Sequence, residues 1–364
     1  MAGAAPASGL ILRCRRHGQG SPLLKPAVGF TYNRAMPERR PIRFGILGAA
    51  RIAPDALIKA AQNVPDAEVA AIAARDPKRA REFAAAHGIA RVHATYNDVV
   101  NDPELDVIYN PTPNSLHCQW TIAALRAGKH VLCEKPLASN AVEAERMAKA
   151  ADESGRILGE AFHYRYHPLA DRVRALMHDG TLGRLVHVEG EFSVLIPESN
   201  IRFDWSLAGG ATMDLGCYPL HMIRYFSGLT PRVLRARAET GPKYIDIAMD
   251  VALELAAGVT ARMRCAMKKD SVLRASFMAR GERGELRVTN PIAPHRGHQL
   301  TVKTGAGEKN EVVAGDTTFT HQLRAFIKAV RGEARFPTDG AEGITNMRLI
   351  DDVYRAAGLP PRAT

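Results

Sequence analysis

Gly48, Ala50 and Ala53 stand at fixed spacing in the run IRFGILGAARIAP, directly after a short apolar stretch. The spacing matches G-x-G-x-x-G/A, and each position in that pattern has a physical task. Gly48 supplies a tight turn. Ala50 stands where backbone must approach a pyrophosphate, so its methyl group is a departure from the pattern. Ala53 lets a helix pack closely on a strand. Arg51 and Ile52 lie between them at the helix start, where free N–H groups would hold the pyrophosphate of a dinucleotide. Taken alone, so degenerate a fingerprint also describes an ordinary strand-to-helix turn.

The second strand ends in AIAARDPKRA. An NAD site wants an acid at this strand end, about 20 residues past the glycine turn, to hold the ribose 2′-OH. Ala74 aligns there and Arg75 follows. Asp76 precedes Pro77, and an acid before proline at a helix start reads as an N-cap. Arg75 would then face a 2′-phosphate, with Lys78 or Arg79 beside it, which favours NADP over NAD. Further on, Glu134-Lys135-Pro136 follows the apolar run at 130–133. That places it at the carboxyl end of a strand, where doubly wound folds bind ligands.

These residues need a sheet to position them. Apolar stretches recur at 42–47, 69–73, 107–109, 131–133 and 157–158, with helical patterns at 52–62, 77–87, 115–127 and 140–153 between them. Alternating β and α units predict a parallel doubly wound sheet. From about residue 185 the pattern changes. LVHVEGEFSVLI, VLRARAE, MDVALELAAG, VTARMRCAM, LRASFMARG, GELRVTN and LTVKTG alternate apolar and polar residues, as in an antiparallel sheet with one covered face. The expected organisation is a basic N-terminal segment at 1–40, a dinucleotide-binding Rossmann domain at 41–160 and an α+β substrate domain at 161–364.

Composition agrees with a two-domain globular chain: 364 residues, 46% hydrophobic and 24% charged. The net charge of +11 is concentrated at the start, since residues 1–40 hold seven Lys and Arg against Glu38. The remainder carries both signs interspersed, so no basic groove for nucleic acid is expected. Residues 1–40 read as disordered. Arg15-Arg16 suggests an export signal, but the following HGQGSPLLKPAVGF is broken by Gly, Pro and Lys, so a cytoplasmic protein is expected. No apolar run is long enough for a membrane span. The five cysteines, Cys14, Cys118, Cys133, Cys217 and Cys265, form no CxxC pair and read as free thiols. No metal-ligand spacing and no serine nucleophile elbow occurs.

GILGAARIA, NPTPNSLH at 110–117, CEKPLA, EAFHYRYHP at 160–168 and GGATMDLGCYPLH at 209–221 together resemble the glucose–fructose oxidoreductase / inositol dehydrogenase (Gfo/Idh/MocA) family from about Ile42 to the C-terminus. Helical patterns at 321–331 and 344–357 match it too. The resemblance implies that Lys135 is catalytic. Many members pair this lysine with Asp-x-x-x-His, but here the run is Asp214-Leu-Gly-Cys-Tyr218. Tyrosine in that place resembles the branch of glucose–fructose oxidoreductase, aldose dehydrogenases and dihydrodiol dehydrogenases.

Oxidising an alcohol sends hydride to nicotinamide while a base takes the hydroxyl proton. A phenol near pKa 10 is a poor base at neutral pH, and a neighbouring ammonium would lower that value. Tyr218 is therefore assigned as general acid/base and Lys135 as its activator. Asp214, four residues earlier on a helix, would orient the pair or bond the sugar, unless it is only an N-cap. Asn110 and Pro111 are expected along the cofactor with Glu134, and His117 near the nicotinamide ribose or in a capping turn. Tyr164, Arg165 and His167 line the substrate pocket or form an interdomain turn; Arg202 and Trp205 would close over substrate, and His221 reads as structural.

The expected activity is NADP(H)-dependent hydride transfer to or from an aldose or small cyclic alcohol. The alternatives are a trans-dihydrodiol or carbonyl reductase, and a non-catalytic NAD(P)-binding sensor. The resemblance also implies a homo-oligomer, dimer or tetramer, built on the second sheet's open face.

Overall fold

Apolar runs too short for helices become the strands of the first sheet in the computed structural model, which describes residues 40–362. These are β1 (Ile42–Leu47), β2 (Ala67–Ala73), β3 (Arg91–Val92), β4 (Val107–Asn110), β5 (His130–Cys133) and β6 (Leu158–Glu160). All pair in parallel, in the order β3-β2-β1-β4-β5-β6. That is the order of a dinucleotide-binding sheet, with its reversal between β1 and β4. The crossovers carry α1 (Lys59–Gln62), α2 (Pro77–His87), α3 (Tyr96–Val100), α4 (Asn114–Arg126) and α5 (Ala141–Ser154).

Local chemistry explains where these helices begin. Asp76 accepts from the N–H groups of Lys78 and Arg79, and Pro77 takes the first helical position, where its missing N–H costs nothing. Asn140 caps α5 by accepting from Glu143 N–H. The helix expected at 52–62 is split: a π-helical turn covers Pro54–Ile58 before α1 begins. Two short elements, β3 and α3, were not expected; their few residues carry too little periodicity to detect.

The second sheet has eight strands: β7 (Leu185–Ser193), β8 (Arg232–Thr240), β9 (Asp246–Glu254), β10 (Thr260–Ala266), β11 (Arg274–Gly281), β12 (Gly284–Thr289), β13 (Gln299–Thr304) and β14 (Gly307–Glu311). Their order is β14-β13-β12-β11-β7-β10-β9-β8, antiparallel except for the β7/β10 pair. β14 was missed because GEKNE has no apolar alternation; a short charged strand is suited to a sheet edge. One face is covered by α6 (Pro168–His178) and α7 (Cys217–Ser227), whose apolar residues join the main core.

α7 comes close to the sheet at Gly190 of β7. A methyl group there would lie 2.7 Å from Pro219 Cβ, so only glycine fits without displacing the helix. α8 (Thr318–Val330) and α9 (Gly340–Ala356) end the chain. α9 packs beside α5, where Asp351 accepts from Ala141 N–H at 3.1 Å. The four described cysteines are free and buried. The expectations for residues 1–39, including Arg15-Arg16 and Cys14, lie outside the described residues. Among the described residues no helix is long and apolar enough to cross a membrane.

Candidate active site

The carboxyl ends of β1, β4 and β5 meet at the reversal of strand order and carry Gly48, Asn110 and Glu134 in turn. Gly48 has φ +101°, which side chains other than glycine's rarely adopt, so the turn depends on it. Ala53 is fully buried against the sheet. Arg51 and Ile52 are exposed, and their N–H groups have no hydrogen-bond partner within the described residues. A turn with free donors opening a helix suits a pyrophosphate.

The surroundings are basic. Ala74 comes directly after β2, and Arg75 follows, exposed. Arg79 donates from Nη2 to Ala49 O at 2.8 Å, which pins one guanidinium onto the glycine turn. Asp76 is engaged through Oδ1 as the cap of α2. The Tyr96 ring, edge-on to Trp120, completes this wall. Its hydroxyl stands 3.2 Å from where a Gly48 Cβ would be. Tyr96 escaped the sequence reading, although Thr95-x-x-Asp98 is a capping-box signal and both of its bonds form.

Lys135 comes from the end of β5 and meets residues 79 to 83 positions away. Its Nζ donates to the Asp214 carbonyl at 3.0 Å and to Asp214 Oδ1 at 3.3 Å. Arg202 Nε lies 2.5 Å from the other oxygen, Oδ2. Asp214 sits inside a π-helical turn, Thr212–Gly216, that leads into α7, so it is not an N-cap. Burial opposes ionisation of Asp214, but the two cations win and hold its pKa below the ordinary value. Burial likewise works against charge on Lys135, and the Asp214 carboxylate outweighs it.

Tyr218, in the first turn of α7, is 5% exposed. Lys135 Nζ lies 5.0 Å from the centroid of its ring. The ammonium is thus over the ring, while the phenol oxygen faces His163 Nε2 at 3.2 Å. The lowering of the phenol's pKa expected from Lys135 does not prevail here. Burial first, then the charge of Glu134, push it well above the ordinary value, and Arg202 opposes them. His163 was passed over in the sequence, although it stands within EAFHYRYHP.

Several expected site residues have side chains engaged with neighbouring protein groups. His117 is buried, with Nδ1 at 2.9 Å from Pro136 O and Nε2 at 2.8 Å from Thr112 O, so it ties two loops together. Asn110 is also buried, donating to His117 O and Thr121 Oγ1 and accepting from Thr112, so its side chain shapes the turn from within. Pro111 is buried beside it. Glu134 accepts from the Tyr109 hydroxyl at 2.7 Å. Tyr164 is buried and bonds His221, whose ring stacks on Phe162 at 4.2 Å. Arg165 turns away to the Tyr225 ring and Pro337 O. His167 caps α6. Trp205 stacks under Arg362 at 4.2 Å. Each of these side chains is engaged by packing, by backbone groups or by another side chain.

The family model described as "Oxidoreductase family, NAD-binding Rossmann fold" matches residues 42–162, and the "GFO/IDH/MocA C-terminal domain" matches residues 170–287. A D-xylose 1-dehydrogenase (NADP(+)) of Haloferax volcanii is 35% identical over 316 residues, 86% of this chain and 97% of that protein. A trans-1,2-dihydrobenzene-1,2-diol dehydrogenase of Bos taurus is 34% identical over 343 residues, 87% of this chain and 97% of that protein. Among solved structures, a 3-ketoreductase of Actinomadura kijaniata in complex with NADP and TDP-benzene superposes with TM-score 0.81 at 28% identity. It covers 87% of this chain and 98% of its own.

Proposed function

Because this chain belongs to the GFO/IDH/MocA family of oxidoreductases, we propose that it transfers hydride between NADP(H) and the CH–OH carbon of an aldose or related sugar. The observation that carries the reading is the convergence of Lys135, Asp214 and Tyr218 at the carboxyl end of β5, in the same sheet as the glycine turn after β1. The choice of NADP is supported by Arg75 and Arg79 at the turn and by Ala74 where a ribose-binding acid would stand. The xylose dehydrogenase relative and the NADP complex of the ketoreductase support it as well.

When bound, the nicotinamide supplies or accepts the hydride. The chain's own residues handle the proton. Tyr218 is held as a phenol, the form that donates to a carbonyl oxygen during reduction and must lose its proton before oxidation. Lys135 is fixed by Asp214 and presents positive charge where an alkoxide would form. Asp214, itself paired with Arg202, holds that ammonium in place. Reduction of an apolar carbonyl or dihydrodiol is the second reading. It is favoured by the Phe192 ring, 5.7 Å from that of Tyr218, and by the bovine relative. A homo-oligomer would use the open face of the second sheet, where Arg262–Asp250 and Arg264–Glu191 pairs stand in rows.

The test is fluorescence titration with NADPH and NADH, then a panel of aldoses and dihydrodiols followed at the nicotinamide absorbance, with light scattering on the same sample. Tighter NADPH binding and aldose-dependent turnover are expected. Tyr218→Phe should lower kcat by roughly 10²–10⁴-fold while NADPH still binds. An unimpaired Tyr218→Phe variant would sink the mechanism, and tight binding without turnover on any substrate would turn the reading to a sensor.

A further inference from the structure

A buried acid/base must exchange its proton with something, and Lys135 is not placed to receive the proton of Tyr218. Among the described residues Lys135 Nζ donates to the Asp214 carbonyl and carboxylate, and the ammonium lies over the ring. Among the described residues, the hydrogen-bond partner of the Tyr218 hydroxyl is His163 Nε2. The other nitrogen of His163, Nδ1, lies 2.8 Å from Thr318 Oγ1. That hydroxyl lies 3.5 Å from His295 Nδ1, and Thr318 N–H approaches the same atom at 3.4 Å. Tyr218, His163 and Thr318 are all buried, whereas His295 is half-exposed. The line therefore runs from the cleft to the surface.

We propose that His163, Thr318 and His295 form a proton relay connecting Tyr218 to solvent. The proposal rests on reading Tyr218 as the acid/base of the site. In oxidation the substrate hydroxyl proton moves to the Tyr218 oxygen as the phenol proton moves to His163 Nε2. The Nδ1 proton of His163 passes to Thr318 Oγ1, whose own proton passes to His295 Nδ1. His295 then releases a proton from Nε2 to water. Each intermediate group loses one proton and gains one, and the hydride leaves the same carbon for the nicotinamide. Reduction runs the line in reverse.

The chemistry of each member suits the task. A neutral imidazole accepts at one nitrogen and donates at the other. Burial first, then the charges of Lys135, His295 and Arg296, push His163 down to about 3, so it passes a proton on without keeping it. The groups facing it are Tyr218, Lys135, Thr318, His295 and Arg296, with no carboxylate among them to trap the charge. The Phe319 ring, 4.2 Å from the imidazole, fixes its orientation. A hydroxyl rotates freely, so Thr318 receives from one side and donates to the other. The Thr318–His295 leg is the longest and is the one that movement of half-exposed His295 would close.

Thr318→Val, Thr318→Ser, His295→Gln and His163→Ala are compared with wild type for kcat, KM, pH profile, solvent deuterium isotope effect and NADPH binding. Thr318→Val should lower kcat on the order of 10-fold, below the loss expected for a direct general base. KM and NADPH binding should stay, the isotope effect should rise, and Thr318→Ser should recover the rate. His295→Gln should be slow and should respond to buffer concentration, and imidazole should accelerate His163→Ala. Wild-type rates, pH profile and isotope effect in both Thr318→Val and His295→Gln would overturn the relay, even with Tyr218→Phe inactive. If Tyr218→Phe itself retains full turnover, the acid/base reading has failed and the relay falls with it.

Discussion

The strongest local interaction in the site is a carboxylate held between two cations. Asp214 is 14% exposed on its side chain and Lys135 11%, whereas Arg202 is 38% exposed and more screened. Removing the carboxylate charge leaves Lys135 buried and unpaired. Asp214→Asn is therefore expected to cost about 3 kcal/mol at pH 7, a figure set by Lys135 more than by Arg202. The carboxylate's pKa is depressed in the fold, so its stabilisation is present above the ordinary value of 3.8 and is lost as pH falls through the folded value. Denaturant unfolding of both proteins at pH 7 and at pH 3 checks this. The gap should be narrower at pH 3 than at pH 7, and equal stability at pH 7 would refute it. The residue types of this cluster were legible in the sequence. The pairing of His163 with Tyr218 was not, because they lie 55 residues apart, nor was that of Arg202 with Asp214, because the backbone between them follows no regular period.

At the scale of elements, helix starts were legible wherever a side chain satisfies free N–H groups locally. Asp76 and Asn140 cap as their positions suggest, and Thr95 with Asp98 forms a box that short-range reasoning can find. The two π-helical turns, Pro54–Ile58 and Thr212–Gly216, were not legible. Each widens the first turn of a helix beside the site, and the apolar spacing of a π-turn differs too little from an α-turn over five residues. α7 owes its position to Gly190. Gly190→Ala would put a methyl 2.7 Å from Pro219 Cβ and push the helix off β7. Because Tyr218 rides on α7, the variant should lose about 1–3 kcal/mol of stability together with turnover. Gly305→Ala, with nothing near its Cβ position, is the control. Thermal unfolding and kcat falling together for Gly190→Ala alone is the expected result; unchanged values would show that the contact relaxes freely.

The chain's last described residues reach back to the site region. Arg362 is buried, pairs with Asp246 and donates from Nε to Gly209 O at 2.6 Å. Its guanidinium lies between the Trp205 and Tyr354 rings, at 4.2 and 4.3 Å. Tyr354 donates to Asp246 at 3.0 Å, and Asp246 accepts from Thr212 N–H at 2.7 Å. Thr212 opens the turn that holds Asp214, so the C-terminal arginine braces the segment carrying the site. Arg362→Ala would leave Asp246 buried without its cation and should cost about 3–5 kcal/mol. Guanidinium unfolding measures it; a loss under 1 kcal/mol would mean that Asp246 takes up a proton and needs no partner.

What the sequence determined by itself is what depends on near neighbours. The glycine turn, the Asp76 cap, the alternation that builds two kinds of sheet, and the order of β and α units are all short-range, and the family motifs lie within runs of a dozen residues. Tertiary structure alone decided which polar side chains face the cleft. His117, Asn110, Tyr164 and Arg165 carry chemistry that suits a site, and only the fold shows that their side chains meet backbone carbonyls, a buried histidine and an aromatic ring. It also set the surroundings of the Tyr218 hydroxyl. A sequence places an ammonium near a phenol, but whether the cation meets the oxygen or the ring face, and how much water is excluded, follows from packing across the whole molecule.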